Sequence, residues 1–136
     1  IMASELRVNT LKDAAGNNSV GMSYVANGSS KAWVNFNGTG TPTARDSFNL
    51  ASITDNATGD QTVNFSNSLS SGNYMWSGST GDGAGVNQSN WLSTPSGQNP
   101  TAMMQAGSVR VKNSYANALT NSDLQYIGVQ VTGDLA

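Results

Sequence analysis

The chain contains no histidine and no cysteine, and these two absences remove several kinds of chemistry at once. Without cysteine there is no disulfide framework and no thiolate nucleophile. Without either residue there is no zinc site of the usual Cys/His kind. Catalysis by a Ser-His-Asp or Cys-His pair also lacks its base. These absences exclude those kinds of catalysis, and we expect no metal ion and no cofactor.

Charge is also scarce, because six basic and eight acidic residues give a formal net charge of −2. Binding to a nucleic-acid backbone needs a basic face, so we expect no nucleic-acid partner. A glycosidase needs two positioned carboxylates. The single glutamate, Glu5, lies near the start, and the aspartates lie near predicted turns or termini, so no such pair is indicated.

Long hydrophobic runs are absent as well. No stretch approaches the roughly 20 apolar residues of a membrane-spanning helix. Residues 1–7 lack the basic start and apolar run of a secretory signal. We therefore expect no membrane insertion.

Small neutral polar residues take the place of these types, since Asn, Ser, Thr and Gly make up nearly half of the chain. Between turns rich in them, apolar and polar residues alternate with the period of a β-strand. In residues 31–37, for example, Ala32, Val34 and Phe36 share one face while Trp33 lies on the other. The other predicted strands are 19–25, 46–51, 61–65, 74–77, 108–112 and 124–132, with 46–51 and 61–65 forming a hairpin across a turn at 55–60.

These strands predict one all-β domain over residues 19–136, an antiparallel β-sandwich of jelly-roll-like form. An extended N-terminal arm over residues 1–18 precedes it. No window shows a sustained helical stripe, and residues 114–122 have room for a single turn at most. The Gly-, Ser-, Asn- and Pro-rich residues 78–101 predict a long irregular loop.

The apolar core is small for an isolated subunit, so we predict an obligate oligomer. Several strands carry large side chains on both faces, as where Tyr126 lies opposite Ile127. An extended terminal arm also suits addition to the sheet edge of a neighbouring chain. The residues that we expect at an oligomer or virion interface are Leu6, Val8, Leu11, Trp33 and Tyr126.

One aromatic residue of the predicted loop suits recognition of a host surface glycan. Trp91 stands among amides, including Asn87 and Asn90, and an aromatic face flanked by amides suits a sugar. The alternative is that Trp91 only closes the loop against the domain. Asp55 and Asp60 flank a turn that could hold calcium, but capping of the turn's own backbone is the commoner role, so we predict no metal site.

Two segments carry a family resemblance. Residues 31–41 read KAWVNFNGTGT and residues 45–60 read RDSFNLASITDNATGD, followed by QTVNF. With residues 4–19, they resemble short domains of tail-fibre and other virion structural proteins from tailed phages of marine bacteria and cyanobacteria. The similarity is specific across residues 4–65 and loose from 74 to 136.

The resemblance implies a β-rich virion component without enzymatic activity, trimeric where it belongs to a fibre. We therefore expect a tail-fibre or appendage component that is assembled in the host bacterial cytoplasm and resides in the virion. It would bind copies of itself and, through its N-terminal arm, other virion proteins. A capsid decoration or head-fibre protein is the first alternative. A carbohydrate-binding module is the second, and a polysaccharide depolymerase is disfavoured because no acid/base pair is indicated.

Overall fold

The computed structural model describes residues 4–82, 90–94, 100–115 and 120–136. Its strands are β1 (Thr10–Lys12), β2 (Ser19–Gly21), β3 (Ser30–Asn37), β4 (Thr43–Phe48), β5 (Leu50–Ala57), β6 (Asp60–Phe65), β7 (Met75–Gly81), β8 (Asn90–Ser93), β9 (Met104–Gln105), β10 (Ser108–Tyr115), β11 (Thr120–Asn121) and β12 (Tyr126–Thr132). Its helices are α1 (Met22–Gly28) and α2 (Pro100–Met103). In these ranges no helix has the length and apolar character needed to cross a membrane.

Two antiparallel sheets form the body of the molecule. One has four strands in the order β4-β3-β12-β7. The other has the order β11-β10-β6-β5. Two further short strands, β8 and β9, also pair with β10. This confirms the predicted all-β antiparallel sandwich. A separate hairpin joins β1 to β2. It pairs residues of the predicted arm, 1–18, with residues that follow it in the chain.

The core lies between the two sheets. Because side chains alternate along a strand, every second side chain of a core strand points into this space. The alternations predicted for β3 and β12 are confirmed, since their apolar sets are buried. The buried cluster consists of Ala32, Val34, Phe36, Val63, Phe65, Leu69, Tyr74, Val109, Val111, Leu124, Ile127, Val129 and Val131. Burial of each large apolar member contributes on the order of 2 kcal/mol. The Tyr74 hydroxyl donates a 2.7 Å hydrogen bond to the Ser108 carbonyl, and burial raises the pKa of Tyr74.

The chain crosses between the sheets at Asn49, which corrects the predicted strand over 46–51. Asn49 has φ 57°, a left-handed conformation that Asn adopts more readily than most residues. The side-chain Nδ2 of Asn49 donates hydrogen bonds to the carbonyls of Lys31 and Asn67, both at 2.9 Å. Phe48 therefore ends β4 in one sheet and Leu50 begins β5 in the other. The predicted hairpin with β6 starts at Leu50.

The strand predicted over 19–25 is wrong beyond Gly21, where α1 begins. Val20, Met22 and Tyr24 alternate as in a strand, but β1 pairs only as far as Gly21. Without a neighbouring strand, the next residues satisfy their backbone groups locally as a helix. The Asn27 side chain adds a 2.9 Å hydrogen bond to the Ser23 carbonyl within it.

The irregular segment predicted over 78–101 is also only partly correct. β7 continues to Gly81, β8 occupies Asn90–Ser93 and α2 begins at Pro100. Both β7 and β8 find partners in existing sheets, which Gly- and Ser-rich composition does not reveal. In residues 114–122, which had room for a single helical turn at most, residues 114–115 belong to β10, residues 120–121 form β11, Ser122 follows β11, and 116–119 lie outside the described ranges.

A buried polar network closes one end of the sandwich at the β5–β6 turn. The Asp123 carboxylate accepts hydrogen bonds from the Gly59 amide at 2.6 Å and from Gln61 Nε2 at 3.2 Å. The Gln61 amide is thereby oriented so that its Oε1 accepts from Asn113 Nδ2. The Asn113 Oδ1 atom has no hydrogen-bond partner among the described residues. The network therefore joins β6, β10 and the segment before β12.

Candidate functional site

The N-terminal unit, defined as residues 4–28, contains three of the predicted interface residues. Leu6, Val8 and Leu11 are 79%, 36% and 42% exposed. No residue of the unit is buried, and β1 and β2 pair only with each other in the part of the chain that the structure describes. The unit therefore presents apolar side chains that its own chain does not cover.

The other two predicted interface residues, Trp33 and Tyr126, lie on the outer face of the four-stranded sheet. We call this surface the groove face. Strand register aligns two rows across it, first Phe48, Trp33, Gln130 and Ser77, then Asp46, Asn35, Gly128 and Ser79. Tyr126 is two residues from Gly128 on β12. The groove face therefore combines exposed aromatic rings with amides and hydroxyls.

A groove of about 370 Å³ crosses this face beside Trp33. Its lining includes Trp33, Gln130, Ser77, Ser79 and Gly128. The groove exists because β12 has no side chain at Gly128, where a Cβ would lie 3.0 Å from the Ser79 hydroxyl. On the opposite side, Ser77 and Ser79 of β7 have short side chains that do not fill the groove. The result is an open groove with an indole on one side and hydroxyls on the other.

The polar side chains that line the groove have no hydrogen-bond partners within the described part of the chain. Among the described residues, no side-chain hydrogen bond is made by Trp33, Gln130, Ser77 or Ser79. Each can donate a hydrogen bond, and Gln130 and the serines can also accept one. These groups are therefore available to a ligand or to solvent.

The outer face of the other sheet, which we call the polar face, behaves differently. Asn64 Nδ2 donates to Ser52 Oγ at 3.1 Å and to Thr54 Oγ1 at 3.0 Å. Asn56 Nδ2 donates to Thr62 Oγ1 at 2.9 Å. Side chains of the same types therefore satisfy one another on the polar face but not along the groove.

Arg45 is the cation nearest to Tyr126 on the groove face. Its guanidinium carbon lies 4.5 Å from the centroid of the Tyr126 ring, which is a cation–π contact. Its Nη2 donates to the Gln125 carbonyl at 2.6 Å and its Nη1 to Asn35 Oδ1 at 3.2 Å. These contacts hold the charge beside Tyr126, and the residues lining the groove carry no charge.

The two aspartates of the predicted turn have different surroundings. Asp60 is buried, and Arg110 donates to its two carboxylate oxygens at 2.7 and 2.8 Å. Burial alone would raise the pKa of Asp60, but Arg110, Asn56 and Lys112 outweigh it and hold that pKa below its usual value. Asp55 is exposed. Across the described ranges, no group of three or more acidic side chains is placed so that it could hold a metal ion.

The predicted glycan contacts fall largely outside the described residues. The backbone of β8 is placed, and Asn90 and Trp91 pair with Tyr115 and Ser114 of β10. The side chains of both residues, and the whole of Asn87, lie outside the described part of the chain. Their contact with a glycan stays a prediction.

Sequence reasoning missed the groove, although strand alternation puts Gly128 and Gln130 on the same face as Tyr126. The missing signal was strand order, because Ser77 and Ser79 become neighbours of Gly128 only through the pairing of β7 with β12.

Comparisons with protein-family models, curated proteins and solved structures give no match for this chain.

Proposed function

We propose that the protein is a structural component of a phage virion. In this proposal it is a tail-fibre or appendage subunit that assembles as a trimer and presents its outer surfaces for attachment. The observation that carries the proposal is the exposure of apolar side chains in the N-terminal unit. A two-stranded hairpin is marginally stable alone in water, and so is a seven-residue helix. A folded unit that buries no residue in its own chain needs a surface outside itself.

Another copy of the same chain suits this unit well. Its charged side chains are Glu5, Arg7, Lys12 and Asp13, whose charges sum to zero. The unit thus has no net attraction for a strongly charged partner. Leu11 and Val20 lie opposite each other in the hairpin and form an apolar pair. In a closed symmetric assembly every copy buries the same pair, and the hairpin edge gains a partner.

Sedimentation of the full chain tests self-assembly. We expect a trimer at micromolar concentration and a monomer for Leu11→Asp, because a carboxylate placed in an interface must be desolvated. Met75→Asp is the matched control, since it puts the same charge on β7 at a residue that is 71% exposed. The control should remain trimeric. A wild-type monomer, or equal dissociation of both variants, would contradict the proposal.

A capsid decoration or head-fibre protein is the alternative within the same class. Antibodies raised against the chain, applied to purified particles and viewed by electron microscopy, separate the two. Label at the tail supports an appendage, whereas label over the head supports decoration. Particles without any label would refute a virion role.

A further inference from the structure

We infer that the groove beside Trp33 is a binding site for a neutral saccharide. In this arrangement a sugar ring lies with its C–H face on the Trp33 indole, and its hydroxyls meet Gln130, Ser77 and Ser79. The inference does not depend on membership of a virion. It rests on the groove's shape, its unpartnered polar groups and its lack of charge.

The shape comes from a specific feature of the sheet. Gly128 lies between Tyr126 and Gln130 along the outward face of β12, so one side-chain position is empty. The adjacent β7 positions carry only serine. A row of small residues would be a feature of many sheets, but here the groove is bounded by a tryptophan that is 37% exposed. A flat apolar face beside a shallow groove matches the alternating C–H and hydroxyl surfaces of a pyranose.

The hydrogen-bonding state of the groove is the stronger argument. The chain is rich in Asn, Ser and Thr, and on the polar face these side chains bond to one another, as Asn64 does with Ser52 and Thr54. Along the groove, Gln130, Ser77 and Ser79 make no such bonds within the described residues. A saccharide hydroxyl both donates and accepts, so it can pair with amide and hydroxyl groups of either kind. The groove therefore offers what a sugar needs and the polar face does not.

Charge decides between classes of sugar. Among the residues that the structure describes, no ionisable side chain lines the groove. Arg45, on the same face, is engaged by the Tyr126 ring, the Gln125 carbonyl and Asn35. An anionic sugar would find no free cation in the groove and would lose hydration without compensation. We therefore expect neutral sugars to be preferred over acidic ones of the same length.

Nuclear magnetic resonance of the full chain provides a direct readout, because each tryptophan gives one indole N–H signal. The probes are neutral trisaccharides of glucose, galactose, mannose and N-acetylglucosamine, with trigalacturonic acid as the acidic comparison. We expect at least one neutral probe to shift the Trp33 signal saturably. The signal of Trp76, which packs against the core, should stay unchanged.

Three variants locate the site. Trp33→Ala should weaken binding by about tenfold or more, because the stacking surface is lost. Gly128→Val fills the groove and should abolish binding, and Gln130→Ala should weaken it with little effect on the fold. Thr54→Val on the polar face is the control and should bind normally. Circular dichroism checks that each variant is folded.

Several results would overturn the inference. They are the absence of a saturable Trp33 shift with every neutral probe, a shift with trigalacturonic acid alone, or equal loss of binding in Thr54→Val. A second copy of the chain is the competing occupant of the groove face. A Trp33 shift that depends on protein concentration and is insensitive to sugar would assign the groove to that copy.

Discussion

Among single residues, polar side chains differ according to whether their hydrogen bonds are completed within the chain. Asp60 is buried and holds Arg110 through both carboxylate oxygens, with Lys112 3.9 Å away. Asn113 Oδ1, also buried, has no partner among the described residues. Removing one member of a buried ion pair leaves the other uncompensated. Asp60 therefore matters more to stability than the exposed Glu5–Arg7 pair of the N-terminal unit.

Replacing Asp60 by Asn should lower the free energy of unfolding by about 2 kcal/mol at neutral pH, less than for a fully buried pair because Arg110 is partly exposed. The folded-state pKa of Asp60 lies below the unfolded value of about 3.9. Its contribution is therefore present above about pH 4 and is lost as the pH falls through the folded-state pKa.

Urea unfolding of wild type and Asp60→Asn between neutral and acidic pH measures this effect. The stability difference between them should shrink as the pH drops below about 4. Asp134→Asn removes an exposed carboxylate and serves as the control, with little change expected at neutral pH. A difference between wild type and Asp60→Asn that is constant with pH would show that the ion pair is not its cause.

At the scale of elements, sequence predicted the strands whose two faces differ in polarity. β3 and β12 were recognisable because one face is apolar and fully buried, and a shift by one residue would expose it. α1 was not recognisable, because its apolar residues happen to alternate and its helical state follows from the end of the β1–β2 pairing. The sheet change at Asn49 was missed for a similar reason, since it depends on contacts with Lys31 and Asn67, which are distant in sequence.

The candidate sites were predictable to a similar extent. Alternation placed Trp33 and Tyr126 on the strand faces opposite Val34 and Ile127, and the apolar Leu6, Val8 and Leu11 marked the N-terminal segment. The groove required knowing that β7 lies beside β12, because only this pairing places Ser77 and Ser79 next to Gly128. Local pattern therefore gives the face on which a residue lies, whereas a site assembled from several strands requires their order.

The turn between β5 and β6 permits a prediction about one glycine. Gly59 has φ +64°, and a Cβ there would lie 2.5 Å from both the Asn113 carbonyl oxygen and the Ser122 nitrogen. Gly59→Ala should therefore lower the free energy of unfolding by more than the roughly 1 kcal/mol that a left-handed alanine costs. The additional loss arises because backbone atoms of the polar network must also move.

Gly40→Ala is the matched control for this turn. Gly40 has the same φ of +64°, but a Cβ at this residue would meet no atom within 4 Å apart from those of its chain neighbours. Gly40→Ala should lower the free energy of unfolding by only about 1 kcal/mol, which is the cost of holding an alanine in the left-handed conformation. Urea unfolding of both variants gives the comparison. Equal losses would mean that the contacts of Gly59 with β10 and the segment before β12 do not restrict the turn.

At the scale of the whole molecule, the chain divides into a sandwich with a continuous core and an N-terminal unit that buries nothing. Global unfolding is needed to expose the amides of β3 and β12, which lie at the centre of their sheet. The amides of β1, β2 and α1 are held only by local hydrogen bonds. The two parts should therefore differ in how their protection depends on association.

Amide hydrogen exchange over a protein dilution series measures this difference. In dilute solution, where the proposed assembly would dissociate, residues 4–28 should exchange far faster than β3 and β12. At high concentration their protection should rise, while that of β3 and β12 should change much less, because association stabilises the N-terminal unit directly. Leu11→Asp should keep residues 4–28 in fast exchange at every concentration. Slow exchange of residues 4–28 in the dilute monomer would mean that the unit is stable without a second copy, and the basis for self-assembly through it would be lost.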